Sequence, residues 1–349
     1  VGTKEGHLYC YSPTMELLHH ISRLPSGRAL GAIYTIKEDS HGNLWVGTKG
    51  DGVYRLTPKA ESAGYSVREY RHSAENPYSL SNDMVYSIEE DSEGKIWIAT
   101  YGGAINMLPS WDSERVVNTL NSFPHYPTES GERTRYLLLD DEHRMLLGSS
   151  EGLIWFDPML APEKMDFGIA QRGINTPHTL QANDVIHILK DARGDIWLST
   201  YGGGLSRIEG YDESGTPRFR TYSTSDGLPS NIVLAATQTD DGSLWLSTEN
   251  GITRFDSAKE IFTSYTHYDG YEPVKYSETT AITDSSGRVV VGCADNRLQL
   301  FDPNHKADEG YNYRLQISSF EVDYLISLQL LKFGNNPCYT FPVCQYGLA

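Results

Sequence analysis

Apolar and polar positions alternate in short bursts along this chain, and the bursts recur. Ile33-Tyr34-Thr35-Ile36, Val85-Tyr86-Ser87-Ile88 and Val185-Ile186-His187-Ile188 each open such a segment, the period-2 signature of a strand with one face more deeply buried. An Asp-x-x-Gly turn follows (Asp39 to Gly42, Asp91 to Gly94, Asp191 to Gly194), in which the carboxylate can accept backbone N–H bonds while Gly takes a positive φ. That combination predicts a hairpin. Its second strand, of the type Leu44-Trp45-Val46-Gly47-Thr48, sets Trp and Gly on one face and β-branched or Leu residues on the other, a pairing of wide and bare surfaces suited to sheets stacked face to face. A glycine-rich turn (Lys49-Gly50-Asp51-Gly52, Tyr101-Gly102-Gly103, Tyr201-Gly202-Gly203-Gly204) leads to a third strand ending in Arg55-Leu56, Arg207-Ile208 or Arg254-Phe255. A more polar fourth strand closes the module, as in Phe219-Arg220-Thr221-Tyr222.

The module repeats. Its Trp position falls at Trp45, Trp97, Leu146, Trp197, Trp245 and Val290, a period of about 45 to 52 residues, and a partial copy opens the chain at Val1-Gly2-Thr3. Four antiparallel strands per module, without helical periodicity between them, predict an all-β fold: a seven-bladed β-propeller over residues 1–308 whose first blade is incomplete. The chain reads as an excerpt from something longer, with ring closure either incomplete or supplied by upstream sequence. Residues 309–349 read as a truncated or atypical start of a β-sandwich.

Composition narrows the function. With 29 Lys and Arg against 46 Asp and Glu, the 349-residue chain carries a net charge of −17, which opposes binding to nucleic acid or anionic lipid. Cys10, Cys293, Cys338 and Cys344 show no C-x-x-C spacing, so neither a zinc site nor a disulfide framework is indicated, and no cofactor or metal is expected. The 23 Tyr and 32 Gly fit short strands and turns.

Written as one pattern, (V/I)-x-x-I-x-x-D-x-x-G-x-(L/I)-W-(V/I/L)-(G/A/S)-T-x-x-G-G-(L/I/V)-x-R resembles the two-component regulator propeller repeat of Bacteroides-type hybrid sensors, over about residues 1–302. Tyr313-Arg314-Leu315-Gln316-Ile317-Ser318-Ser319-Phe320-Glu321-Val322 is similar to the lead-in of the immunoglobulin-like domain that follows such propellers. The resemblance implies a periplasmic sensor segment of an inner-membrane receptor. It further implies an oligosaccharide ligand from polysaccharide breakdown, signalling by domain rearrangement, and homodimerisation through sensor domains. The kinase and the membrane-spanning part would lie in downstream sequence, and the segment itself would not be an enzyme.

In a propeller the turns between second and third strands share a face with the segments that lead into each inner strand. On that face the ligand-binding candidates are Lys49, Asp51, Tyr101, Tyr201, Glu249 and Asn250 from the turns, and Asp83, Asn183 and Asn231 from the lead-in segments. Tyrosine faces stack on pyranose rings while carboxylates and carboxamides bind sugar hydroxyls. The competing roles are packing for the tyrosines and backbone capping for the Asp and Asn residues. Gly148-Ser149-Ser150-Glu151-Gly152 fits the letters of a nucleophile elbow, yet it occupies the ordinary inter-strand turn rather than a strand-to-helix turn. Asp-x-x-Gly carboxylates, one per blade, lie too far apart to converge on calcium, and His19-His20 on an extended strand point to opposite faces. The rival functions are a propeller lyase or glycosidase, which needs a convergent acid and base, and a protein-interaction propeller docking a partner at the face or at the open first blade.

Overall fold

The computed structural model describes residues 1–59, 64–174, 176–265, 274–295 and 297–304; side-chain placement is omitted at 120, 121, 129 and 130. The first compact unit runs Val1–His305. The sandwich expected over 309–349, with its Tyr313 to Val322 lead-in and with Cys338 and Cys344, lies outside the described residues.

Every sheet is an antiparallel meander. Blade A comprises β3 Ile33–Glu38, β4 Leu44–Thr48, β5 Val53–Pro58 and β6 Tyr65–Tyr70, after an opening hairpin of β1 Leu8–Tyr11 and β2 Leu17–Ile21. Blade B comprises β7 Val85–Glu90, β8 Ile96–Thr100, β9 Ala104–Leu108 and β10 Val117–Asn118; blade C, β11 Thr134–Leu139, β12 Met145–Ser149, β13 Gly152–Phe156 and β14 Phe167–Ala170. Blade D holds β15 Val185–Lys190, β16 Ile196–Thr200, β17 Leu205–Tyr211 and β18 Pro217–Tyr222, and blade E holds β19 Val233–Gln238, β20 Leu244–Thr248, β21 Gly251–Asp256 and β22 Ile261–Tyr265. Blade F has three strands among the described residues, β23 Tyr276–Thr283, β24 Val289–Cys293 and β25 Leu298–Phe301. Six blades of a β-propeller are thus in place, and the sheet that opens the chain has two strands, extended on its inner side by a single bridge from Gly2 to Leu8. No helix among the described residues is long and apolar enough to cross a membrane.

The Asp-x-x-Gly turn does more than turn the chain. Asp39 Oδ1 accepts the backbone N–H groups of His41 and Asn43, and its Oδ2 accepts the indole N–H of Trp45 at 2.8 Å. Asp91 repeats this with Glu93, Lys95 and Trp97 at 2.8 Å, and Asp191 with Arg193, Asp195 and Trp197 at 3.1 Å. Blades C and F have Leu146 and Val290 at the Trp position. There Arg144 and Arg288 fill the same oxygen through Nε, at 2.9 Å on Asp140 and 2.8 Å on Asp284. The indoles of Trp45, Trp97 and Trp197 are fully buried, and the Trp45 side chain packs with Val85, Ile88 and Ile98 of the following blade. Gly47 sits two residues on, on the same face, where a Cβ would come within 2.7 Å of Val85 Cγ1. Trp and Gly together therefore shape the blade A surface that receives blade B.

Blade E departs from this scheme. Thr239 stands where the other blades have Asp, Asp241 accepts from Thr239, Ser243 and Arg254, and the buried Trp245 Nε1 has no hydrogen-bond partner among the described residues. A buried donor left unpaired costs about 1–3 kcal/mol. Thr239→Asn offers an amide oxygen without placing a second carboxylate beside Asp241, and it is expected to raise stability by about 1 kcal/mol in chemical denaturation. Asp91→Ala, which strands an indole and two backbone donors, should cost about 3 kcal/mol or more in the same measurement. A neutral Asp91→Ala would remove this linkage as a determinant of the fold.

The same carboxylates set the acid limit. Burial works against ionisation of Asp241, but hydrogen bonds from Thr239, Ser243 and Arg254 outweigh it and hold the carboxyl down at about 2; Asp39 is lowered likewise by Trp45, Asn43 and His41 against its burial. A depressed folded-state pKa gives stability that is complete above the ordinary carboxylate value and is lost as pH falls through the folded value. Stability measured by urea unfolding should therefore fall between about pH 4 and pH 2, and Asp241→Asn should flatten that slope.

Candidate functional site

The inner strands β3, β7, β11, β15, β19 and β23 neighbour one another around the central channel. Period-2 alternation does not survive intact in them. Each pairs with its second strand through a register shift just after its first residue: between Ile33 and Thr35, Val85 and Ser87, Thr134 and Tyr136, Val185 and His187, and Val233 and Ala235, with a longer irregularity between Tyr276 and Ala281. A bulge leaves one residue unpaired and re-aims its side chain. The residues it releases are Tyr34, Tyr86, Arg135, Ile186 and Leu234, with Glu278 inside the irregular stretch of blade F.

Three of these, with the turn residues beside them, form a continuous ledge. Lys49 Nζ lies 5.6 Å from the centre of the Tyr34 ring, Tyr34 meets Tyr86 at 5.0 Å, and Tyr86 stacks on Tyr101 at 5.3 Å with 29° between planes. Arg133 and Arg135 approach the Tyr101 ring at 6.0 and 5.4 Å. Arg135 then pairs with Asp184 of the segment leading into blade D at 2.9 Å and with Glu278 of blade F at 3.1 Å. Arg135 Nε and Asp184 Oδ1 are buried without a hydrogen-bond partner among the described residues. Burial raises the Asp184 carboxyl above its ordinary value while Arg135 opposes the rise; burial also raises the Tyr86 hydroxyl, with Tyr34 adding to it. The ledge thus sets three tyrosine rings and the exposed cations Lys49 and Arg133 in one row beside the half-buried Arg135 and its two acids, a set suited to a ligand with both ring faces and polar substituents.

Of the nine residues named from sequence, Lys49 and Tyr101 meet on this ledge through Tyr34 and Tyr86. Asp83, Asn183 and Asn231 are committed elsewhere: their side-chain oxygens accept the backbone N–H of His72 at 2.6 Å, Arg172 at 2.6 Å and Thr224 at 2.9 Å. Their carbonyl environment matches, since the Asp83 and Asn231 carbonyls each receive two turn N–H groups, from Gly50 and Gly52 and from Gly202 and Gly204. They hold the turns rather than present themselves. Asp51 pairs with Arg71 at 3.1 Å, and Asn250 donates to the Pro229 carbonyl at 2.9 Å, beside the exposed Glu249. Tyr201 is 50% exposed, next to a separate polar depression of about 850 Å³ lined by His178, Gln181, Gly203, Arg220, Asp226 and Asn231. Among the described residues no group of three or more His, Cys, Asp or Glu is placed to hold a metal ion.

Sequence reasoning missed Tyr34, Tyr86, Arg133, Arg135, Asp184 and Glu278. The available signal was the second position of the inner strand in blades A to E, which reads Tyr, Tyr, Arg, Ile, Leu after a first position that is β-branched in each. Replacing Arg135 by Met removes the only cation paired with Asp184 among the described residues, so its carboxyl should titrate higher than in the parent protein by carbon-detected NMR. An unmoved titration would dissolve the pairing.

The family described as Two component regulator propeller matches residues 27–50, 79–102, 179–202 and 227–250, four of the repeats that form blades A, B, D and E. Blades C and F, with Leu146 and Val290 for Trp, complete the same architecture outside those matches. No curated protein sequence matches the chain. Among solved structures, one similar to this chain is the extracellular domain of a protein of B. thetaiotaomicron described as a hybrid two-component system: 17% identity, TM-score 0.52, covering 86% of this chain and 45% of that one. The chain therefore spans less than half the length of that structure. Virginiamycin B lyase from Staphylococcus aureus, with quinupristin, is similar at 18% identity and TM-score 0.59, covering 84% and 87%. The β-propeller domain of Swd1 from Myceliophteria thermophila reaches TM-score 0.61 at 10% identity, covering 86% and 91%. At these identities the likeness is one of fold.

Proposed function

Because this chain is built on two-component regulator propeller repeats, we propose that it is the ligand-sensing propeller of an extracytoplasmic receptor and that its ligand is an oligosaccharide bound on the channel-mouth ledge. The observation that carries this reading is the row Tyr34, Tyr86 and Tyr101, at 5.0 and 5.3 Å between successive rings, with Arg135 and its acids at one end. A row of packed tyrosine rings at the channel mouth suits contact with the apolar side of sugar rings, and the Arg135, Asp184 and Glu278 group supplies donors and acceptors for hydroxyls. The similarity to an extracellular domain of a two-component system supports the sensor role and a periplasmic location. In this reading the ring has seven positions: the opening hairpin sits beside blade F, where Arg288 Nη2 donates to the Pro13 carbonyl at 2.7 Å. The bound sensor would pair with a second copy and pass its signal on by rearrangement of neighbouring domains.

Calorimetry against neutral, uronic and amino-sugar oligosaccharides tests the reading. A ligand should bind the parent protein, and Tyr101→Ala should weaken it by about tenfold, the loss of about 1.4 kcal/mol of aromatic contact. Binding unaffected by Tyr101→Ala would move the site off the ledge. The same incubations, with virginiamycin B included and products followed by mass spectrometry, would expose a lyase or glycosidase by its cleaved product.

A further inference from the structure

The oligosaccharide reading leaves the ligand's chemistry open, and the charges around the ledge narrow it. With a net charge of −17, the protein repels anions over most of its surface. The ledge carries two cations that no carboxylate among the described residues neutralises directly. Lys49 and Arg133 stand near its two ends, both exposed, one 5.6 Å from the Tyr34 ring and the other 6.0 Å from the Tyr101 ring. Among the described residues neither is part of an ion pair, although the chain has an excess of acids with which to make one. Asp51 is paired with Arg71, and both Asp184 and Glu278 with Arg135; Asp83 and Glu132 also lie close by, and neither is within ion-pair distance of Lys49 or Arg133.

In a protein this acidic, two cations left without carboxylates at opposite ends of one aromatic row form a local anion site, and Arg133 adds a planar fork that matches carboxylate or sulfate oxygens. We infer that the ledge takes an acidic saccharide, with sugar rings on Tyr34, Tyr86 and Tyr101 and carboxylate or sulfate groups held by Lys49 and Arg133. The aromatic row supplies affinity for any sugar of suitable shape. The two cations decide which sugar. A neutral chain offers them hydroxyl oxygens alone, whereas an acidic one offers carboxylate or sulfate oxygens, so that donor and acceptor are both charged and the fork of Arg133 is matched in geometry.

The inference rests on the oligosaccharide reading, and the test separates the two. Oligogalacturonates and hyaluronan oligosaccharides are titrated by calorimetry beside their carboxyl-reduced forms, which keep the linkage and lose only the charge; chondroitin sulfate oligosaccharides and their desulfated forms provide the sulfate arm. The expected result is that at least one acidic saccharide binds about tenfold or more tightly than its neutral counterpart, and that its affinity falls as salt rises from about 50 to 300 mM. Lys49→Ala and Arg133→Ala should each weaken the acidic ligand by about tenfold and the neutral form by clearly less, with Arg133→Lys recovering part of the loss. Both positions are exposed, so thermal melts of these variants should overlay the parent. Neutral forms binding as tightly as acidic ones, or both alanine variants binding like the parent, would overturn the acidic preference while the oligosaccharide reading stands. If no saccharide binds, acidic or neutral, both fail together.

Discussion

A carboxylate oxygen that must be filled governs how each blade is put together. Asp39, Asp91, Asp140 and Asp191 are buried at the first turn of their blades, and a buried charge is tolerated only when its lone pairs are satisfied. One oxygen is satisfied locally by two backbone N–H groups of the turn; the other needs a donor from beyond it. Trp45, Trp97 and Trp197 provide that donor from the second strand, and Arg144 and Arg288 provide it where no Trp stands. The bond fixes the indole so that its rings fill the space between blades, joining a local turn to long-range packing through one atom. Blade E shows the converse, because the loss of Asp at Thr239 leaves the Trp245 donor unpaired.

With the second strand held in this way, the inner strand has to accommodate the curvature of the ring, and it does so by a bulge at one repeated position. The unpaired residue is free of the alternation that binds its neighbours; in blades A to C it stands outside the buried clusters, whereas in blades D and E it joins the core around Trp245. It is there that copies differ: Tyr34 and Tyr86 are aromatic, Arg135 is cationic, and Ile186 and Leu234 are buried apolar groups. In blades A to C that irregularity thus provides the positions from which a channel-mouth site can be assembled outside the buried core.

The blades were legible in the sequence because Asp, Gly and Trp recur in register, and each has a narrow physical reason to be where it is. The turn face was legible as well, since Lys49 and Tyr101 follow directly from the glycine-rich turn that ends β4 or β8. What could not be read was the bulge, because Val85-Tyr86-Ser87-Ile88 looks like plain alternation until pairing partners are known. The Asp-to-indole bond was hidden for a similar reason: residues six apart meet only once the hairpin has folded. The ion pair of Arg135 with Glu278 spans 143 positions and depends on ring geometry that no local pattern carries. For Asp83, Asn183 and Asn231 the sequence left two roles open, ligand contact and backbone capping, and the hydrogen bonds present are those of capping.

The distribution of the ledge over the ring has a further consequence. Lys49 and Tyr34 belong to blade A, Tyr86 and Tyr101 to blade B, Arg133 and Arg135 to the start of blade C, Asp184 to the approach to blade D and Glu278 to blade F. Each blade is closed by its own ladder and is packed against its neighbours through a buried apolar core, so these parts cannot shift independently by whole-strand movement. Adjustment to a ligand is therefore confined to the side chains released by the bulges and to the turns that carry Lys49 and Tyr101. Arg135 is the group most exposed to such adjustment, because it shares its charge between two carboxylates on different blades and keeps one buried nitrogen unfilled. Any shift of that guanidinium changes the balance between Asp184 and Glu278, and with it the contact between blade C and the blade on the far side of the channel.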